Sequence, residues 1–117
     1  MGRVWVKARI GDPDLRRVIE VEALVDTGAT LTVVPRRLAK ELELKITGRT
    51  VVETGAGRII LDRTRIWIEL EGRNEIVPAL ISDTIDKVLI GVTTLEVLGL
   101  QVDPLTGRLK EWPLLLY

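Results

Sequence analysis

Apolar and polar residues alternate along two stretches in the first 25 residues. Every second residue is apolar from Val4 to Ile10, and again from Ile19 to Val25. A period of two is typical of a strand with one buried face. Residues 11–14 between them read Gly-Asp-Pro-Asp, which favours a turn. The pattern therefore predicts two strands joined by a turn.

Two later segments have helical patterns instead. In residues 35–43 apolar residues are spaced one turn apart with charged residues between them, and Pro35 suits the first turn of a helix. The run Thr93-Thr94-Leu95-Glu96 is typical of a capping box, and Gly99 is placed to end the helix that follows. The sequence therefore predicts two short helices.

The other elements are extended. Residues 51–61 are extended on both sides of Gly55 and Gly57, which predicts a hairpin. Further extended pieces are predicted at 66–70, 75–81 and 88–90, and a last strand through Trp112. About eight short strands with two short helices indicate an all-β barrel or sandwich. No linker divides the chain, so we predict one domain over residues 1–117.

The composition narrows the possible chemistry. The chain has no Cys and no His, which excludes disulfides, thiol nucleophiles, serine–histidine triads and histidine metal ligands. Lys plus Arg and Asp plus Glu both number 17, so the net charge is zero. This balance argues against a nucleic-acid or anionic-membrane surface. Catalysis would have to use carboxylates, hydroxyls, lysine or the backbone.

The sequence also gives expectations about location. No apolar run approaches the ~20 residues of a membrane span. The N-terminus leads straight into a strand and has no signal-peptide pattern. A soluble, cytoplasmic protein is expected. One Asn, one Gln, one Met and no Cys form a composition that leans toward a thermophile.

Several conspicuous side chains are interpreted as surface features. Arg36 and Arg37 are read as a solvated helix face, and Asp83 and Asp86 as loop residues rather than metal ligands. No metal site is predicted. The three tryptophans lie on strand faces opposite the apolar stripes, which suits either the barrel exterior or an interface: Trp5, Trp67 and Trp112.

The tripeptide Asp26-Thr27-Gly28 is the sharpest chemical feature. Apolar residues 23–25 deliver a carboxylate to a turn, in which glycine lets the backbone fold sharply. One interpretation is structural: Asp26 forms an Asx turn within its own loop. The other is functional: the carboxylate at the end of a buried strand is presented for chemistry.

The context of this tripeptide resembles the active-site loop of the retroviral-type aspartic proteases, the retropepsins. The matching residues are Ala23-Leu24-Val25-Asp26-Thr27-Gly28-Ala29. Val88-Leu89-Ile90-Gly91, followed by a predicted helix, is similar to the second signature of that family. The glycine-rich tip 55–57 lies between them, where the family carries its flap. The resemblance covers roughly residues 20–103 and implies a closed retropepsin-like barrel, similar to small prokaryotic members.

An aspartic endopeptidase is the activity that the resemblance implies. In that family two carboxylates share one proton and activate a water, without a metal or cofactor. Asp26 is implied as the catalytic carboxylate, and Thr27 as the residue whose hydroxyl ties two loops across a dimer axis. Gly28 supports the turn, and its N–H is placed to bond the carboxylate. Since this chain has one such loop, activity would require a C2 homodimer.

The resemblance also implies how substrate is held. The hairpin tip Thr54-Gly55-Ala56-Gly57 is similar to the flap, which would close over an extended polypeptide and pair with its backbone. Ile85 and Leu89 are candidates for pockets that accept apolar substrate side chains.

Three features depart from the family pattern. Val92 stands where retroviral members have an arginine that braces the loop, and a threonine cap is expected to replace that contact. Thr30 stands where many members have aspartate. The flap has two glycines rather than a longer glycine run and is expected to be stiffer. Apart from these three departures, the C-terminal residues 112–117 are apolar and suit either a dimer interface or packing on their own barrel. These departures keep open a proteolytically inactive, peptide-binding or regulatory dimer of the same fold, and a purely structural dimer.

Overall fold

The computed structural model describes residues 3–112, and the side chains of residues 4–112. This part of the chain forms nine strands and two short helices. In order they are β1 (Arg3–Gly11), β2 (Val18–Asp26), β3 (Thr32–Pro35), α1 (Arg36–Glu41), β4 (Gly48–Thr54), β5 (Gly57–Leu70), β6 (Arg73–Ser82), β7 (Val88–Ile90), α2 (Val92–Leu98), β8 (Leu100–Val102) and β9 (Leu109–Glu111). Most of the apolar C-terminal segment considered above, residues 113–117, lies outside the described residues.

Six of these strands close into a barrel in the order β1-β2-β7-β3-β6-β5. The closing pairing joins β5 back to β1 and aligns Ile10 with Ile68. β4 pairs with β5 alone, and β8 and β9 form a separate two-stranded sheet. The predicted all-β barrel is therefore confirmed, and the sandwich alternative is wrong.

Alternate strand residues fill the barrel interior, as the period of two predicts. Ala8 and Ile10 of β1 and Ala23 and Val25 of β2 are buried. Each large apolar side chain buried in this way stabilises the fold by about 1.5–3 kcal/mol. The same core includes residues of β5, β6 and both helices, among them Ile66, Ile68, Leu70, Val77, Ala79, Ile81, Leu38, Leu42, Leu95 and Leu98.

The short strand β7 brings together two segments that are distant in sequence. It runs parallel to β2, where Val25 pairs with Ile90, and antiparallel to β3, where Val33 pairs with Leu89. Its outer two residues are buried and Leu89 is half-buried. Because β2 and β7 run in the same direction, the loop that follows Asp26 lies beside the segment that follows β7.

β5 is one strand of 14 residues, although the sequence pattern suggests separate extended pieces at 59–61 and 66–70. The polar residues between them continue the antiparallel pairing with β6. Thr64, in the middle of the strand, is buried and donates its hydroxyl to the carbonyl of Lys45 at 2.6 Å. This bond satisfies the buried hydroxyl and allows the strand to continue.

Both predicted helices exist, with different starts from those expected. α1 covers six residues, with Pro35 as its N-cap rather than inside its first turn. The capping-box prediction for α2 is wrong: the helix begins at Val92, its N-cap is Gly91, and no side chain caps it. Gly99 ends α2 in the left-handed conformation, as predicted. Neither described helix is long and apolar enough to cross a membrane.

Trp67 lies on the strand face opposite the apolar stripe, as the sequence indicates, yet it is buried. It is 8% exposed. The guanidinium of Arg9 lies 5.6 Å from the ring centroid, and the indole N–H donates to Asn74 Oδ1 at 3.2 Å. The long arginine side chain covers the outer face of the barrel here. Trp5 and Trp112 are exposed.

Asp12 organises the turn between β1 and β2. Its carboxylate accepts backbone N–H bonds from Arg17 at 2.8 Å and from Asp14 at 3.2 Å. These bonds hold the pKa of Asp12 below its ordinary value of 3.8, and the bond from Arg17 has the largest effect. The charged form of Asp12 therefore stabilises the folded state.

We expect the Asp12→Asn variant to be less stable than the wild type at pH 7. Because the folded-state pKa is lower than the unfolded one, this contribution is complete above about pH 4 and is lost as the pH falls through the folded-state value. Urea midpoints of the two proteins should converge on acidification. Asp14→Asn is the control, since the Asp14 carboxylate accepts no hydrogen bond from the described residues. A midpoint difference that does not depend on pH would contradict the assignment.

Candidate active site

Asp26 is the last residue of β2 and is half-buried. The backbone N–H of Gly28 donates to Asp26 Oδ1 at 2.9 Å, and that of Ala29 donates to the Asp26 carbonyl at 3.0 Å. A Cβ at Gly28 would lie 3.2 Å from the same Oδ1, so glycine suits this close approach. The i to i+2 bond is also an Asx turn. The two interpretations of the tripeptide therefore describe one local structure.

The start of α2 holds the loop that follows Asp26. The N–H of Val92 donates to the carbonyl of Ala29 at 2.8 Å, and the N–H of Thr93 donates to that of Thr30 at 3.0 Å. Backbone groups thus fix the loop at two successive residues. This contact does not depend on the identity of the side chain at position 92.

A buried pair of threonines ties the same two segments together. The hydroxyls of Thr32 and Thr94 are 2.6 Å apart, and the N–H of Gly91 donates to Thr32 Oγ1 at 3.2 Å. Both threonines are buried. The expected threonine cap is absent: Thr94 bonds Thr32 of β3 and braces the loop in this way instead. A Cβ at Gly91 would lie 2.5 Å from the carbonyl carbon of Leu31, so only glycine fits here.

Thr27 is exposed beside the carboxylate. Its hydroxyl makes no hydrogen bond with any residue between 3 and 112. Thr27 lines a cavity of about 310 Å³. The other walls are largely apolar side chains: Val92, Leu95, Leu100, Val102, Pro104 and Trp112. The surface next to Asp26 is therefore apolar and partly concave.

The predicted hairpin is formed by β4 and β5. The Thr54 hydroxyl donates to the carbonyl of Gly57 at 2.8 Å and accepts the N–H of Ala56 at 3.1 Å. Gly57 has a φ of 121°, which favours glycine. All four tip residues, Thr54 to Gly57, are exposed. The tip is thus closed by its own hydrogen bonds.

The two pocket candidates lie on different elements. Leu89 is in β7, pairs with Leu24 two residues before Asp26, and is half-buried. Ile85 is half-buried in the loop over residues 83–87, where its N–H donates to Ser82 Oγ at 3.2 Å. The structure thus brings Leu89 close to the Asp26 strand and places Ile85 on a neighbouring loop.

An ion-pair cluster surrounds Arg36, which the sequence pattern indicates only as a solvated residue. Its guanidinium bonds Asp83 at 2.8 and 3.2 Å and Asp62 at 2.9 Å. These carboxylates raise the pKa of Arg36, and the hydrogen bond with Asp83 has the largest effect. Arg36 in turn lowers the pKa of Asp83. The partners lie 26 and 47 positions away along the chain, so only the fold brings them together.

A larger cavity of about 390 Å³ lies at the opposite end of β2. It is lined by the β1–β2 turn and by residues such as Leu42, Lys45 and Arg65. β2 spans nine residues, so the cavity is on the order of 25 Å from Asp26. Among the described residues, no three acidic side chains come together as a metal site would require.

Comparison with known proteins identifies the class to which this fold and site belong. A model of the aspartyl protease family matches residues 6–108, which include the Asp26 loop, the hairpin and β7. The chain belongs to the aspartyl protease family. The resemblance to retropepsins is confirmed by this match and by the fold. Among curated protein sequences, none matches the chain.

Solved structures share the fold at low sequence identity. EIAV protease, solved with the inhibitor HBY-793, is 23% identical, with a TM-score of 0.68 over 83% of this chain and 88% of that one. The retroviral protease-like domain of Ddi1 from Leishmania major is 19% identical, with a TM-score of 0.62 over 95% and 89%. A retropepsin-like aspartic protease from Rickettsia conorii is 16% identical, with a TM-score of 0.61 over 86% and 76%.

The buried threonine pair yields a stability prediction. We expect Thr32→Val to lower the free energy of unfolding by about 1–3 kcal/mol, because the Thr94 hydroxyl and the Gly91 N–H lose their buried partner. Urea denaturation measures this change. Thr30→Val is the matched control: it removes an exposed hydroxyl from the same loop and should stay within about 0.5 kcal/mol of the wild type. Equal stability of Thr32→Val and wild type would contradict a bracing role.

Proposed function

We propose that the chain is an aspartic endopeptidase that acts as a homodimer, with one Asp26 from each protomer in a shared site. The observation that carries this proposal is the position of Asp26, whose carboxylate is bonded by Gly28 in a loop fixed to α2. Membership of the aspartyl protease family supports it. The described chain contains a single Asp-Thr-Gly loop, so the second carboxylate must come from another copy.

The chemistry follows from two close carboxylates. Like charges at short distance do not both ionise readily, so the pair holds one proton between them. The ionised member takes a proton from the attacking water, and the protonated member polarises the scissile carbonyl. The Gly28 N–H keeps one oxygen of Asp26 oriented while the proton moves. Neither step needs a residue type that the chain lacks.

The dimer contact proposed for this site is the surface around Thr27. That surface is largely apolar. Val97 and Leu105 directly follow residues that line its cavity, and both are exposed, Leu105 at 93%. Exposed apolar groups of this kind are typical of interaction surfaces. The Thr27 hydroxyl would bond to the partner loop across the two-fold axis, because a C2 interface pairs identical patches.

An extended polypeptide is the proposed substrate. The exposed tip of the β4–β5 hairpin would cover it and offer strand-like hydrogen bonds to its backbone. Leu89 and Ile85 would contribute to apolar pockets, which favours cleavage between apolar residues.

The Asp26→Asn variant tests the proposal. We expect cleavage of an unfolded protein substrate to fall by roughly 10²–10⁴-fold or more, since asparagine cannot transfer the proton. The side-chain oxygen still accepts the Gly28 N–H, so sedimentation should show an unchanged dimer. Asp14→Asn, at the far end of β2, is the charge-matched control and should cleave normally.

Two outcomes would contradict the assignment. One is cleavage by Asp26→Asn at the wild-type rate. The other is wild-type protein that binds extended peptide without cleaving it at any pH from 3 to 8, which would leave a peptide-binding dimer.

A further inference from the structure

Arg36 contacts two carboxylates that belong to different parts of the fold. Its Nε and Nη2 donate to the two oxygens of Asp83 at 2.8 and 3.2 Å, and its Nη1 lies 2.9 Å from Asp62 Oδ2. The side chains of Arg36 and Asp62 are 29% and 20% exposed. A guanidinium that forks across one carboxylate and reaches a second is geometrically specific.

Asp62 lies at the base of the β4–β5 hairpin. It pairs in register with Arg49 of β4, whose Nε is 3.8 Å from Asp62 Oδ1. It comes four positions after Arg58, the second residue of β5. Asp62 is therefore the point at which the proposed flap is bonded to the body of the protein through α1.

Asp83 lies in the loop that carries Ile85. The same helix holds this loop a second time, because Arg37 Nη2 donates to the carbonyl of Asp86 at 3.0 Å. Within the loop, buried Ser82 accepts the N–H groups of Thr84 and Ile85 through its hydroxyl. The loop is thus locally ordered, and α1 sets its position.

We propose that Arg36 is a positioning residue that couples the hairpin to the 83–87 loop. This role rests on the proposed function, in which the hairpin covers the substrate and Ile85 contributes to a pocket. One guanidinium then sets the distance between the cover and one wall of the substrate cleft. Lysine would not reproduce this geometry, since its three donors sit on one nitrogen and lack the planar fork that spans both oxygens of Asp83 while reaching Asp62.

Two further cations act on the carboxylates that bind Arg36. Arg49 of β4 lies 3.8 Å from Asp62, and the charge of Lys40, from the same helix as Arg36, helps to lower the pKa of Asp83. The pKa of Asp83 is lowered chiefly by its hydrogen bond with Arg36. The pair therefore remains charged under mildly acidic conditions.

Hydrogen exchange on the full chain tests the coupling directly. We expect Arg36→Gln to raise exchange rates about three- to tenfold in both the hairpin, residues 48–58, and the loop, residues 83–87, as loss of partly exposed ion pairs predicts. Asp62→Asn should raise exchange in the loop, and Asp83→Asn in the hairpin, although among the described residues no hydrogen bond or ion pair joins Asp62 to the loop or Asp83 to the hairpin. Arg36→Lys should behave like Arg36→Gln, which keeps the test valid if the glutamine variant fails to fold.

Two controls separate coupling from local loss of contacts. Arg37→Gln should affect the loop but not the hairpin. Arg17→Gln removes an exposed ion pair of 2.7 Å with Glu43 and should affect neither segment. With a peptide substrate, Arg36→Gln should raise KM about three- to tenfold and leave kcat within about twofold.

The coupling would be overturned if Arg36→Gln changed exchange in neither segment, or if each aspartate variant changed exchange only on its own side of the ion-pair cluster. This holds even if the protein cleaves peptides. Coupled exchange in a protein without peptidase activity would retain the ion-pair coupling but overturn its role in substrate binding, together with the proposed function. An unchanged KM in an active Arg36→Gln variant would overturn that role alone.

Discussion

The contact on which the rest of the candidate site depends is the buried bond between Thr32 and Thr94. β7 lies between β2 and β3, so the loop from Asp26 to Thr32 must pass directly beside Gly91. The threonine hydroxyls, 2.6 Å apart, close this crossing inside the protein. A buried hydroxyl without a partner costs about 1–3 kcal/mol, so the pair specifies one arrangement of the two segments. Asp26 is positioned as a consequence.

The two sides of the proposed cleft are held by different kinds of interaction. On the Asp26 side, backbone bonds from α2 and buried threonines fix the loop. On the hairpin side, the tip is exposed and is closed by bonds within itself, while its base is anchored through charges around Arg36. Catalysis requires a preorganised carboxylate, whereas substrate entry requires a cover that can be displaced. This distribution of contacts suits both requirements.

Much of the fold could be predicted because local patterns carry it. The alternation in residues 4–10 and 19–25, the glycine-rich hairpin and Gly99 at the end of α2 all depend on neighbours in sequence. The Asp26 loop was identified in the same way, from an apolar strand that runs into Asp-Thr-Gly. The roles of Thr27, Gly28 and the flap residues stay predictions.

What could not be predicted depends on distant partners. The run Thr93-Thr94-Leu95-Glu96 is predicted as a capping box because the sequence does not show that Thr32 lies opposite Thr94. The burial of Trp67 is not evident from the sequence, because Arg9 covers its ring only in the folded barrel. Arg36 was read as solvated for the same reason, since its carboxylate partners come from β5 and from the loop after β6. The environment of a side chain cannot be predicted from its sequence neighbours when its bonding partner is distant in sequence and comes close only in the folded barrel.

The central claim is that the active site is shared by two copies of Asp26. The most direct test is a crystal structure of protein that is dimeric in solution. The measurement is the distance between the two Asp26 carboxylates. We expect both carboxylates to lie within hydrogen-bond reach of one water on the two-fold axis. Carboxylates too far apart to share a water, or a monomer with Asp26 facing bulk solvent, would contradict it.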